Sequence, residues 1–212
     1  MYNGMIVQKY VVNIGRQLGS GGKEIGEKLA RELNISFYDK ELINLASEES
    51  GLCEEFFEKA DEKASQGFLH FPFFNDTTTL YSNYLSNDAL FKIQSNIIRK
   101  LASEKSCLFV GRCADYILRD HPCSVNIYIS SYTHDRMKRL CHTLNLSETE
   151  VKELIQKTDK CRSEYYNYYT YNTWGAAATY HLCINSSILG IEETIVFIKE
   201  FITKKLRLTV KV

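Results

Sequence analysis

An α/β fold, with a five-stranded and mainly parallel sheet flanked by helices, is predicted from three features of the 212-residue sequence. Short apolar runs alternate with longer segments of helical period, the signature of βαβ units. The first run leads through a glycine-rich loop into an amphipathic helix. Each run also ends in polar residues, as strands do when their carboxyl ends line a crevice. Composition agrees: 44% hydrophobic, 25% charged, 2 Pro and 11 Gly describe an ordinary globular chain. The length fits a single domain, residues 1–212, carrying a mobile sub-domain.

In chain order, the first strand is expected over residues 10–14. A helix follows over 23–34, where Ile25, Leu29 and Leu33 recur at a spacing of four and form one apolar stripe. Residues 36–38 read as a second strand. Residues 65–86, with Pro72, Asn75-Asp76 and three consecutive Thr, show no period and read as an excursion. Asn87 or Asp88 can cap the next helix, striped by Leu90, Phe91, Ile97, Ile98 and Leu101. Strands are expected at 107–110 and 123–129. Ser147-Glu148-Thr149-Glu150 is a capping box that starts a long helix through Val151, Leu154 and Ile155. A fifth strand over 180–184 precedes a final helix carrying Ile191, Ile195, Ile198 and Ile202. The tail, 206–212, alternates apolar and polar residues like an edge strand.

Charge and cysteine usage exclude several functions. Lys plus Arg equals Asp plus Glu at 26 each, so no net positive field holds a polyanion, and general nucleic-acid binding is not expected. No apolar run approaches the ~20 residues of a membrane span, and the opening Met1-Tyr2-Asn3-Gly4-Met5 lacks a signal-peptide pattern. Seven scattered cysteines without a C-x-x-C pair indicate free thiols in a reducing cytoplasm. The five histidines lack metal-ligand spacing and read as structural.

The loop after the first strand, Gly15-Arg16-Gln17-Leu18-Gly19-Ser20-Gly21-Gly22-Lys23, carries the strongest chemical signal. Glycines let the backbone aim successive N–H groups into one concavity, and the following helix N-terminus adds positive charge, which together make a phosphate seat. A turn that is glycine-rich for steric reasons alone would look the same. The pattern G-x-x-x-x-G-K-[ST] is not met: aligned on Gly19-Ser20-Gly21, Gly22 takes the lysine place and Lys23 follows, with Glu24 near the Mg²⁺-binding hydroxyl's place. A carboxylate ~4 Å from a phosphate charge would cost roughly 4 kcal/mol at an effective dielectric of 20. Glu24 must therefore point away, pair with a cation or sit on a metal. The other apolar runs end in Asp39-Lys40, in Gly111-Arg112 with Asp115 a turn later, in Ser130-Ser131 and in Asn185-Ser186-Ser187, which together predict a polar crevice.

Residues 14–26 (Ile-Gly-Arg-Gln-Leu-Gly-Ser-Gly-Gly-Lys-Glu-Ile-Gly), Phe37-Tyr38-Asp39-Lys40-Glu41-Leu42, Phe109-Val110-Gly111-Arg112-Cys113-Ala114-Asp115, Asp159-Lys160-Cys161-Arg162, Trp174-Gly175 and Leu182-Cys183-Ile184-Asn185-Ser186-Ser187 resemble the cytidylate kinase-like family of P-loop proteins. The resemblance runs from residue 10 to about 200. It implies a P-loop NTPase fold with a core of residues 10–40 and 105–205, an NMP-binding insert near 41–104 and a lid near 136–178. It further implies ATP-dependent phosphoryl transfer to CMP or dCMP, with Mg²⁺ held mainly through ATP and no protein metal ligand assigned. Gly19, Ser20, Gly21, Gly22 and Lys23 would then bind nucleotide phosphates. Arg112, in a Gly-Arg pair like that of true cytidylate kinases, would grip the acceptor phosphate, with Asp39, Lys40, Asp115, Asp159 and Arg162 around the acceptor.

The sequence departs from that pattern at Cys113, where an Asp is expected, at Ile155, where a lid arginine is expected with Lys157 nearest, and at His181, where the family shows Asp. Phosphoryl transfer needs converging cations. Lys23, Arg136, Arg139 and Arg162 are the candidates for catalysis, with Lys138 and Lys160 beside them; a solvated helix face is the alternative for the helical ones. Gln94 lies on the apolar stripe and needs a partner, a base edge or a structural hydrogen bond. The tyrosines from Tyr165 to Tyr171 with Trp174 read chiefly as packing of the lid or a homodimer contact, with at most one ring stacked on a nucleotide. Small-molecule nucleotides are the expected partners. The rival function is a nucleotide-binding sensor or scaffold with little transfer, or a kinase of another small metabolite.

Overall fold

The computed structural model describes residues 9–39 and 77–207, and within the helix that opens the second stretch the side chains from Asp88 onward, Ala89 and Leu90 excepted. Lys40, most of the expected insert and the tail beyond residue 207 lie outside the described residues. The elements are β1 (Val11–Arg16), α1 (Gly22–Leu33), β2 (Ser36–Tyr38), α2 (Thr77–Glu104), β3 (Cys107–Val110), α3 (Ala114–Ile117), β4 (Ser124–Ser130), α4 (Thr133–Leu144), α5 (Glu148–Thr170), a 3₁₀ turn (Ala177–Thr179), β5 (Leu182–Asn185) and α6 (Ser186–Leu206).

The strands form one sheet in the order β2-β3-β1-β4-β5, and each pairing is parallel. All five strands therefore end on one edge. From β1 the chain goes to the edge strand β2, returns to β3 beside β1, and then crosses to β4 and β5 on the other side, so the direction of winding reverses beside β1, the place where open parallel sheets bind ligands. Both faces are covered, which is why the strands read as unbroken apolar runs. Val12, Ile14, Leu108, Val110, Ile127 and Ile129 pack under α1 and α6 with Ile25, Leu29, Ile195 and Ile198. On the other face Val11, Phe109 and Tyr128 pack under α2, α3 and α5 with Ile97, Ile98, Ile117 and Tyr166. Asn13 is buried on β1; its amide donates to Ser124 Oγ (3.1 Å) and Asn126 Oδ1 (2.9 Å) on β4.

Local signals placed several helix ends. The Ser147 capping box forms as read, with its hydroxyl accepting the Glu150 N–H. Asn34 and Asn145 end α1 and α4 in the left-handed conformation that Asn tolerates. Two expectations fail. α2 does not start at residues 87 or 88 but at Thr77, so residues 77–86 of the expected excursion are helical. An apolar stripe records burial against a neighbour rather than helicity, and α2 is buried from Gln94 onward at Gln94, Ser95, Ile97, Ile98, Leu101 and Ala102. Leu206 ends α6 and Arg207 caps it, so the expected edge strand does not open at residue 206; its remainder lies outside the described residues. Among the described residues no helix is long and apolar enough to cross a membrane.

Candidate functional site

The carboxyl end of β1 runs into the glycine loop, where Gly19 and Gly21 take positive φ. A Cβ on Gly21 would overlap Ile191 Cδ1 of α6, so the loop lies directly against that helix. Ser20 is fully buried; its hydroxyl donates to the Gln17 carbonyl (2.9 Å) and accepts the Gly22 N–H (3.3 Å). Neighbouring strand ends hold the loop in turn. Ser186 Oγ donates to the Ser20 carbonyl (2.7 Å), and the Gln17 side-chain oxygen accepts the Ser131 N–H (3.1 Å). The polar residues predicted to end β4 and β5 thus shape the glycine loop at the α1 N-terminus.

Helices α4 and α5 clamp the same loop. Asp159 Oδ1 accepts the Leu18 N–H (2.8 Å), while Arg136 donates Nε–H to the Leu18 carbonyl (2.6 Å) and pairs through Nη2 with Asp159 Oδ2. Arg136 is only 4% exposed. Arg139 donates through Nη1 to the Gly19 carbonyl. The structure therefore places Arg136, Arg139 and Asp159 on the loop backbone, where they hold its shape. Ile155 explains the absent lid arginine, because it is buried with Leu140 and Val151 where α4 meets α5.

The opposite side of the loop gathers charge from other elements. Lys23 Nζ pairs with Asp39 at 3.0 Å, and Arg16 Nη2 approaches the same carboxylate at 3.8 Å. Arg162 Nη1 donates to the Arg16 carbonyl at 3.0 Å. Burial and then Arg162, with Arg112 adding to it, pull the Arg16 guanidinium down to about 9 against the opposing pull of Asp39 and Asp159. Burial likewise lowers Arg162, with Asp159 and Asp39 acting the other way. After β3 the chain turns through Gly111, Arg112 and Cys113, all at positive φ; for the two non-glycine residues that is a strained conformation of the kind found at functional sites. Glu24 meets one of its three predicted fates: it pairs with Lys28 at 2.9 Å, and Lys28 also pairs with Glu192.

Other candidates go elsewhere. Asp115 accepts a hydrogen bond from the Tyr166 hydroxyl (2.6 Å), and burial raises its carboxyl above the usual range. Cys113 is buried, and its thiol is raised well above its ordinary value. The tyrosine cluster mostly packs within the chain: Phe91 stacks on Tyr169, Tyr165 tilts against it, Tyr169 donates to Asp88, and Trp174 meets Tyr128 edge-on. Tyr171 alone of that run is 91% exposed. His181 is structural, its Nδ1 accepting the Asn126 N–H at 2.8 Å. Gln94 is buried, and its amide has no hydrogen-bond partner among the described residues, so the expected structural hydrogen bond is not made there. Sequence reasoning quoted Arg16 and gave it no role; the available signal was a cation inside the loop when the usual lysine place holds glycine.

A model of the cytidylate kinase-like family matches residues 11–188. No curated protein matches the chain. Among solved structures, an uncharacterized protein from Eubacterium ventriosum ATCC 27560 is 28% identical with a TM-score of 0.69, over 92% of this chain and 98% of that one. A shikimate kinase from Bacteroides thetaiotaomicron (14% identity, TM-score 0.53, 94% of this chain and 99% of that one) and a gluconokinase from Sinorhizobium meliloti 1021 (9%, 0.53, 94% and 96%) share the fold.

Proposed function

The chain belongs to the cytidylate kinase-like family, and from that premise we propose that it transfers the γ-phosphoryl group of ATP to a nucleoside monophosphate, with CMP or dCMP as acceptor. The observation that carries this reading is the grouping of Arg16, Arg112 and Arg162 beside a glycine loop at the switch point of a parallel sheet. Guanidinium groups held in one another's field favour an anion between them, and two phosphorylated substrates supply it. An acceptor phosphate oxygen attacks the γ-phosphorus and forms the new P–O bond. The bond from that phosphorus to the β–γ bridging oxygen breaks, and its electron pair leaves on ADP. A dianionic acceptor phosphate has no proton to lose, so the protein's task is orientation and neutralisation of spread charge.

The residues take separate tasks in this scheme. The loop from Gly19 to Lys23 holds donor phosphates. Arg112 and Asp39 face the acceptor, and Arg162 comes from the lid side. The loop residues that would hold the donor phosphates would hold Mg²⁺ with them, and the ion would supply neutralisation of phosphate charge; Glu24 is engaged by Lys28 and would not be the group that joins it. The reaction and the free thiols among the described cysteines suit a cytoplasmic setting.

An ADP-release assay with ATP and Mg²⁺ across all ribo- and deoxyribonucleoside monophosphates tests the reading. CMP or dCMP should give the highest kcat/KM. Release that no monophosphate stimulates, from protein that binds ATP, would replace this function with the sensing role.

A further inference from the structure

Gly22 stands where the phosphate-binding lysine of a P-loop is expected, and the structure shows why a side chain cannot be there. A Cβ on Gly22 would lie 2.6 Å from Arg16 Cβ and 3.1 Å from Arg16 Cγ. The stem of Arg16 covers the first residue of α1, so an arginine at 16 and a side chain at 22 exclude one another. The head of Arg16 has a matching seat on its other side. A Cβ on Gly111, which has φ +79°, would collide with Arg16 Nη1. Two glycines, one on the loop and one at the end of β3, thus make a slot that fits one arginine. That slot runs from the donor loop to the ends of β2 and β3, where Asp39 and Gly111 lie.

We propose that Arg16 supplies the cation absent from position 22 and contacts the phosphoryl group as it passes from donor to acceptor. The inference rests on the phosphotransferase reading for its acceptor side, but its donor side stands on the loop alone. The local charge balance supports it. Among the groups that act on Arg16 and Arg162 are Arg112 and Arg136, together with the carboxylates of Asp39 and Asp159. Asp159 is already paired with Arg136, and Asp39 is shared with Lys23. A polyphosphate entering the slot therefore meets a cluster of guanidinium groups. The Arg16 side chain is one-fifth exposed, enough to present a face to a ligand while burial strengthens its field. Its planar fork can reach two phosphoryl oxygens at once, which a lysine cannot do.

The test compares the wild type with Arg16→Met, which fills the slot without charge, Arg16→Lys, and the double variant Arg16→Gly with Gly22→Lys, which removes the Cβ that blocks position 22 and returns the cation to the usual place. Binding of ATP and of adenosine is measured by calorimetry, and transfer to CMP by ADP release, on variants whose thermal unfolding remains cooperative. Arg16→Met should weaken ATP binding by about 10- to 100-fold, the loss of a charged hydrogen bond, and leave adenosine binding unchanged. It should lower kcat by ~10³-fold or more, as loss of a transition-state arginine does. The double variant should recover part of both losses, which a purely structural Arg16 would not allow. Arg16→Met with ATP affinity within about twofold of wild type, or with ATP and adenosine weakened equally, overturns the proposal. If the wild type transfers to no monophosphate while the Arg16 variants still lose ATP selectively, the acceptor reading fails and the role of Arg16 stands.

Discussion

The two flanks of the glycine loop use arginine for opposite purposes. On the α4–α5 flank, Arg136 and Arg139 direct their donors to the Leu18 and Gly19 carbonyls, and Asp159 takes both Arg136 and the Leu18 N–H. The charge there is matched inside the protein, and Arg136 is almost wholly buried. On the β2–β3 flank, Arg16, Arg112, Arg162 and Lys23 act on a region in which Asp39 is the shared carboxylate. Matched, buried charge determines the shape of the loop. Charge gathered around Asp39, part of it exposed on Lys23 and Arg16, is placed to face the crevice. A cation count along the sequence treats both flanks as one cluster.

The largest expected effect comes from breaking the matched flank. Arg136→Ala empties the buried site of Arg136, leaves the partly buried Asp159 without that partner and should lower stability by about 3–5 kcal/mol. For a chain of this size that corresponds to a fall in Tm of roughly 6–20 °C by thermal melting. A Tm within a degree of wild type would move Arg136 to the ligand-binding group. The β2–β3 flank should respond chiefly in function. Arg112→Ala should raise the KM for the acceptor by about 10- to 100-fold with ATP affinity nearly unchanged and a smaller fall in Tm than Arg136→Ala. Arg162→Ala should act chiefly on kcat, since its interaction grows in the transition state. Equal losses of stability in both Arg112 and Arg136 variants would erase the contrast between the flanks.

The smallest effect concerns pH. Arg16 is held down to about 9 by burial and by Arg162. A polyanion favours its charged form, so binding above that value must take up a proton. ATP affinity should stay level through neutral pH and fall as pH rises through about 9, measured by calorimetry in buffers of matched ionic strength. Arg16→Met should flatten that fall. A slope unchanged in the variant would assign the titration to another group.

Much of the scaffold was legible because its causes are local. The glycine loop, the Ser147 box and the Asn34 end of α1 depend on residues a few positions apart, and the apolar runs depend on burial on both faces of a parallel sheet. Glu24 was legible to the extent that its pairing with a cation was one of three options, and Lys28 stands one helical turn away. The first turns of α2 were not, because no stripe marks them. Asp115 was read as facing the acceptor from its place after β3, but its partner Tyr166 lies 51 residues further along.

The sequence by itself determined the fold class, the glycine seat and the polar edge, since hydrophobic period, backbone freedom and strand ends are properties of short segments. The tertiary structure decided which cations bind the loop backbone and which gather around Asp39. Leu18 and Asp159 meet across 141 residues, and Arg162 reaches Arg16 across 146. Whether a guanidinium ends on a backbone carbonyl or beside another guanidinium depends on how α4 and α5 pack over β1, and no local pattern encodes that distance. The seat of Arg16 shows the same division: glycines at 22 and 111 are visible in the sequence, but only the folded chain brings both against one side chain and makes their missing Cβ atoms a single slot.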